Sequence, residues 1–189
     1  TVLSTSSAVP TVVGTGNEPS FVPTPMVSGN DTLSPSLSGA PSSDATSGNA
    51  SSIVDLIQLS LTDDGSLSQA GTPQNEALAV TEATTTMLDP NDPADQQEIL
   101  QRYALNTLYF STGGAAWKNN DLWTGESHPC GDGSGTSPWF GLMCDSENTL
   151  VEFMSLPNNT VAGSIPSEIR GLSALTTINI QDNQLSGAI

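Results

Sequence analysis

Two stretches near the carboxyl end of this chain repeat one another at a fixed spacing. Val151-x-x-Met154-x-Leu156-x-x-Asn159-x-Val161-x-Gly163-x-Ile165-Pro166 is echoed by Leu175-x-x-Ile178-x-Ile180-x-x-Asn183-x-Leu185-x-Gly187-x-Ile189. Seven positions match in type, each separated by 24 residues. A period in this range marks a solenoid, in which one small unit stacks on copies of itself to bury a continuous core. No other feature of the chain narrows its fold as much.

Within each unit apolar residues alternate, Met154 with Leu156 and Ile178 with Ile180. Period-two alternation sends these side chains to one face of a short strand, toward the solenoid interior. Phe153, Ser155 and Pro157 in the first unit, and Thr177, Asn179 and Gln181 in the second, then point outward. Stacked strands turn these into one surface, the place where repeat proteins usually bind. Asn159 and Asn183 follow the strand at a turn, where a side-chain amide can satisfy backbone groups. Gly163 and Gly187 fit a bend that a Cβ would obstruct.

Taken together, these residues resemble the leucine-rich repeat family in its plant-type form, L-x-x-L-x-L-x-x-N-x-L-x-G-x-I-P. The phrase Gly163-Ser164-Ile165-Pro166-Ser167-Glu168-Ile169 is similar to repeats of plant receptor ectodomains and algal surface proteins. The resemblance implies an α/β solenoid and a ligand-binding strand face of Phe153, Ser155, Thr177, Asn179 and Gln181. It implies no cofactor.

Upstream of the repeats, Asp92-Pro93 reads as a helix start, with Asp as cap, Pro in the first helical position and acids near the positive end of the dipole. Ile99, Leu100, Tyr103, Ala104, Leu108 and Tyr109 follow at helical spacing, and Gly113-Gly114 ends the run. Three tryptophans come next, Trp117, Trp123 and Trp139, in a chain with 5% aromatics. They read as core side chains closing the exposed end of the first repeat. The run Trp117 … Trp123 … Cys130 … Trp139-Phe140-Gly141 … Cys144 resembles the amino-terminal cap of plant-type repeats. In that family the two cysteines are joined, which implies a Cys130–Cys144 disulfide and an oxidising compartment. The Gly131–Ser137 insertion between them departs from the family and reads as a surface loop. His128, Cys130 and Cys144 also supply three of the four ligands of a structural zinc, although their spacing follows no zinc pattern.

Residues 1–90 differ in composition: about a third are Ser or Thr, and none is Lys or Arg. The expectation is a disordered Ser/Thr/Pro-rich stalk or linker, unable to bury enough apolar surface to offset chain entropy. Within it, Ile53–Leu61 is too short to span a bilayer. It reads as a transient helix or as a docking peptide. Domain boundaries follow as 1–90 stalk, 91–149 cap and 150–189 repeats. Glycosylation sequons occur at Asn30, Asn49 and Asn158.

A formal net charge of −17, with Arg102, Lys118 and Arg170 as the only strong cations, argues against nucleic acid and against a polybasic membrane contact. The acids are scattered and form no Ca²⁺ loop. No nucleophile elbow, phosphate-binding loop, zinc-protease helix or kinase signature occurs. Asp63-Asp64 is the one notable carboxylate pair, in the tract expected to be disordered. The pattern calls for Pro after Ile189, so the chain reads as a fragment. Any membrane anchor would lie in a missing segment. Its carboxyl end is expected to expose Ile178, Ile180, Leu185 and Ile189 and to self-associate through residues 175–189. Two functions fit: an extracellular binding module for protein, peptide or glycan from a receptor-like protein, or a structural wall or matrix glycoprotein. Neither is an enzyme.

Overall fold

A computed structural model of the chain describes residues 50–61 and 64–187. Its centre is a long helix, Pro93–Ser111, here α3, with two shorter helices before it, α1 (Ile53–Ser60) and α2 (Pro73–Thr84). After α3 come five short strands: β1 (Leu142–Cys144), β2 (Val151–Ser155), β3 (Ala162–Gly163), β4 (Thr177–Asn179) and β5 (Gln184–Leu185).

Helix α3 starts where its local chemistry directs. The Asp92 carboxylate accepts from the backbone N–H of Ala94 at 2.9 Å and of Asp95 at 3.3 Å, with Pro93 in the first turn. Gly113, in the left-handed region at φ 69°, ends it. The helix is buried on two sides rather than along one stripe. Ala104, Leu105 and Leu108 join the core shared with the tryptophans and strands. Tyr103, with Leu100 and Phe110 beside it, joins a second core made by Ile57, Leu61, Leu67, Ala77 and Leu78.

That second core overturns the boundary at residue 90. Residues 50–61 and 64–90 are built into the fold and are not part of a disordered stalk. The Ile53–Leu61 segment is neither a transient helix nor a free docking peptide: Ile57 is fully buried and Leu56 and Leu61 nearly so. Ser52 caps α1 by accepting from the Asp55 N–H, and Thr72 caps α2 by accepting from the Asn75 N–H. Both helices are tied to later parts of the chain. Asn106 donates to the Thr81 hydroxyl at 3.1 Å, Gln74 donates to Glu168 at 3.1 Å, and Arg170 donates to the Leu61 carbonyl. Asn30 and Asn49 lie outside the described residues, as does the whole tract before residue 50.

The two repeats stack. Strands β2 and β4 pair in parallel, Phe153 with Thr177, Met154 with Ile178 and Ser155 with Asn179, each at the 24-residue offset. Strands β3 and β5 pair in parallel as well. Strand β1 adds to the other edge of β2, antiparallel, with Leu142 opposite Met154 and Met143 opposite Phe153. The strands cover 151–155 and 177–179, shorter than the apolar alternation suggests, and the chain turns between the end of each strand and the asparagine four residues on. Asn183 explains that turn. Its side-chain oxygen accepts from Asn159 N–H and Val161 N–H at 2.9 and 3.0 Å, while its amide donates to the carbonyls of Leu156 and Ile180. Asn159 is buried and does the equivalent work one step earlier, accepting from Asn119 N–H and donating to the Asn119 carbonyl, both at 2.8 Å. Gly163 lies at φ 99°, and a Cβ there would sit 2.5 Å from the Ser111 carbonyl oxygen at the end of α3; Gly187 repeats the conformation at φ 95°. Among the apolar residues expected at an open carboxyl end, Ile178 is 39% exposed, whereas Ile180 and Leu185 pack against the main core. Ile189 lies outside the described residues.

Candidate functional site

The cap holds the strand face in place. Trp117, Trp123 and Trp139 are all buried, with ring centroids 4.8 Å apart for the first pair and 5.5 Å for the second. Each indole N–H has a backbone partner: the carbonyls of Thr112, Phe140 and Ser127 respectively. A buried indole would otherwise lose a hydrogen bond to water. The Arg102 guanidinium lies 5.7 Å from the Trp139 ring and donates to the Gly125 and Ser127 carbonyls and to Glu98. Cys130 and Cys144 are joined in a disulfide, with Cα atoms 5.7 Å apart. On a loop-entropy argument such a bridge is worth about 3 kcal/mol. It also anchors the end of β1 to the cap. In the Gly131–Ser137 loop the Asp132 carboxylate accepts from Ser134 N–H and Thr136 N–H, and these bonds hold its pKa well below the usual carboxylate range.

Along the outward face, cross-strand partners form rows. The first is Met143, Phe153 and Thr177; the second is Ser155 with Asn179, whose amide lies 3.5 Å from the Ser155 hydroxyl. Phe153, Ser155 and Asn179 are half-buried, while Thr177 and Gln181 are exposed. The Gln181 carbonyl accepts from Asn158 N–H at 2.9 Å, so the face continues beyond the strand ends. Four of the five residues read from the repeat pattern, Phe153, Ser155, Thr177 and Asn179, are therefore paired across the strands, and Gln181 follows just beyond β4. Met143, missing from that reading, is 61% exposed beside Phe153. Its place was not deducible from the repeat, because β1 is no part of the repeat. The face offers hydroxyls, amides and an apolar pair, groups suited to hydrogen-bonding an extended ligand and burying a side chain of it. Asn158 is exposed at the edge, and its side-chain oxygen accepts from the Lys118 ammonium at 2.6 Å.

A cleft of about 440 Å³ opens where the turn from β1 to β2 meets the start of α3, lined by Asp95, Glu98, His128, Asp145, Glu147 and Thr149 among others. The Asp145 carboxylate is engaged by Thr149 and Leu150 N–H groups, which lower its pKa. His128 accepts from Cys130 N–H through Nδ1 and has Nε2 3.8 Å from Glu98. Burial is the main cause that lowers its pKa, and Arg102 adds to this; Glu98, Asp145 and a backbone bond oppose it. A depressed histidine pKa means that the folded state resists protonation. His128 thus contributes stability above its unfolded pKa of about 6.5, and that contribution is lost as pH falls through the lower folded value. Between pH 7.5 and 5, thermal melts of the native chain should lose more stability than those of a His128→Gln variant. Parallel curves would mean that His128 does not sense the fold.

No family model matches the chain, and no solved structure matches it. Two curated proteins of Arabidopsis thaliana are similar to part of it. A probable leucine-rich repeat receptor-like protein kinase is 34% identical over 68 residues, 36% of this chain and 6% of that protein. The leucine-rich repeat receptor-like protein kinase PEPR2 is 35% identical over 63 residues, 33% of this chain and 5% of its own length. The likeness is local. It supports a relationship to leucine-rich repeat receptor-like proteins over about a third of the chain. No helix among the described residues is long and apolar enough to cross a membrane.

Proposed function

We propose that this chain carries the opening turns of a leucine-rich-repeat solenoid, with the Trp-rich segment and α3, backed by α1 and α2, as its cap and the repeats beginning at 150. On this reading it is an extracellular binding module of a receptor-like cell-surface protein. The observation that supports it is the parallel 24-residue register of β2 and β4, which pairs Phe153 with Thr177 and Ser155 with Asn179; with Gln181 these residues make up the proposed ligand face. The local likeness to receptor-like kinases and the Cys130–Cys144 bridge support the same reading. The ligand class is protein, peptide or glycan. A structural wall or matrix glycoprotein is the second reading, favoured by the Ser/Thr-rich composition before residue 50 and the exposed sequon at Asn158.

Screening the full chain against arrays of extracellular peptides and glycans tests the first reading. Thr177→Arg fills the centre of the face from an exposed position and should abolish any array signal without changing the melting temperature. Signals insensitive to Thr177→Arg and to Gln181→Arg would count against the face. Self-association is a separate expectation. Ile178 is the exposed apolar side chain of β4, so Ile178→Lys should shift the chain toward monomer in sedimentation velocity at raised concentration. An unchanged distribution would remove β4 as the contact.

A further inference from the structure

We propose that Asn158 is an N-glycosylation site, and that it takes its sugar only while the first repeat is still open. This deepens the extracellular reading and rests on it.

Asn158-Asn159-Thr160 is an acceptor triplet for N-linked sugar. Asn158 is exposed, in the turn after β2 at φ 49°. Its side-chain Oδ1 accepts from the Lys118 ammonium at 2.6 Å. Lysine only donates, so this contact fixes which end of the amide is oxygen and turns Nδ2 away from Lys118. Nδ2 has no hydrogen-bond partner among the described residues. The backbone N–H of Asn158 donates to the Gln181 carbonyl at 2.9 Å. Neither contact uses Nδ2, so a sugar on that atom leaves both intact. The folded repeat therefore tolerates the modified residue.

The rest of the triplet is closed. Asn159 is 3% exposed, and each of its polar groups is engaged. Its N–H donates to Asn183 Oδ1, and its carbonyl accepts from Lys118 N–H. Its side-chain oxygen accepts from Asn119 N–H, and its amide donates to the Asn119 carbonyl. Thr160 is half-buried at φ 59°, with its hydroxyl 2.8 Å from the Ala116 carbonyl and 2.6 Å from that of Asn159. A transferase has to hold the amide and the hydroxyl two residues on together, and here the hydroxyl is turned to the cap. Ala116, Lys118 and Asn119 come from the cap and Asn183 from the second repeat, so docking of both locks the triplet. Before docking, Asn159 and Thr160 are free and the acceptor is complete. Afterwards it is exposed again only by local unfolding.

In the transfer, Asn158 Nδ2 bonds to the anomeric carbon of an oligosaccharide carried on a polyprenyl diphosphate. The bond from that carbon to the diphosphate oxygen breaks, and the diphosphate leaves with the electron pair. One proton of Nδ2 passes to a base of the transferase.

To test the site, the full chain is secreted from eukaryotic cells behind a cleaved signal sequence, then treated with peptide N-glycosidase in heavy-oxygen water. The peptide holding residue 158 should return as labelled aspartate. Thr160→Ser should keep the label, and Thr160→Ala and Asn158→Gln should lose it. Cell extracts are read beside the medium, so a variant that folds poorly still reports. To test the order of events, unglycosylated full chain with its disulfide formed is offered to solubilised transferase and lipid-linked donor. The same chain reduced and alkylated at Cys130 and Cys144 is the comparison. The oxidised chain should be modified at least about tenfold more slowly. Equal rates overturn the proposed order. An unlabelled Asn158 in secreted chain whose Cys130–Cys144 bridge has formed overturns the site and leaves the binding-module reading standing. A labelled Asn158 in a chain that finds no ligand on the arrays keeps the site and removes that reading.

Discussion

A chain shortened to residues 91–189 should fail to fold cooperatively, while one beginning at Ala50 should melt close to the full chain. Deletion of α1 and α2 strips Leu100, Tyr103 and Phe110 of the side chains that cover them. Returning a fully buried large apolar side chain to water costs about 1.5–3 kcal/mol; Tyr103 is fully buried, and the half-buried Leu100 and Phe110 add smaller losses. Typical domains have only about 5–15 kcal/mol in total. Three polar links also disappear: Asn106 loses Thr81, Glu168 loses Gln74 and Arg170 loses the Leu61 carbonyl. Glu168 is nearly fully buried, so its orphaned carboxylate adds to the penalty. Circular dichroism melts of the three chains read the result. A sharp transition for 91–189 within a few degrees of the full chain would show that the first two helices are an appendage.

The same helices show where sequence reasoning reached and where it stopped. Helix α3 was legible because Asp92-Pro93, the apolar spacing and Gly113 are all local signals. Thr72-Pro73 with Glu76 is the same kind of signal, and Ser52 ahead of Ile53 is another. Both were masked by averaging composition over 1–90, a window that mixes a Ser/Thr-rich stretch with a folded one. The disulfide and the buried tryptophans followed from the cap pattern. The strand face followed from the repeat, since a fixed period transfers the orientation of one unit to the next. What escaped depends on contacts far apart in sequence. Met143 joins the face only because β1 pairs antiparallel with β2 across a turn. Asn159 meets Asn119, 40 residues away, and no local pattern announces that partner. The acidic cleft is likewise assembled from α3, the His128 segment and the 145–150 turn.

Gly141 is the most demanding single position on the strand face, and a pair of glycine substitutions isolates why. It lies at φ 82°, and a Cβ there would stand 2.4 Å from the Ser155 carbonyl oxygen and 2.8 Å from Leu156 Cδ2. Gly133 has a similar φ of 68° but nothing within 4 Å of a Cβ. Alanine at Gly133 therefore carries only the cost of the left-handed backbone, about 1–2 kcal/mol. Alanine at Gly141 carries the same term and must also push β1 away from β2, because a backbone oxygen cannot rotate aside as a side chain can. The bond from Ser155 N–H to the Gly141 carbonyl then lengthens, and Leu142 and Met154, paired and buried, lose contact. Overpacking of this kind costs about 1–3 kcal/mol more. In urea unfolding, Gly141→Ala should lower the midpoint at least about twice as far as Gly133→Ala, and Gly141→Val further still. Trp123 supplies a local readout, since its indole N–H bonds to the carbonyl of Phe140, the residue before Gly141. Its fluorescence should change in the folded Gly141→Ala protein and stay fixed in Gly133→Ala. Equal midpoints for the two alanine variants would mean that β1 does not approach β2 at Gly141, and the pairing that sets Met143 beside Phe153 on the strand face would lose its support.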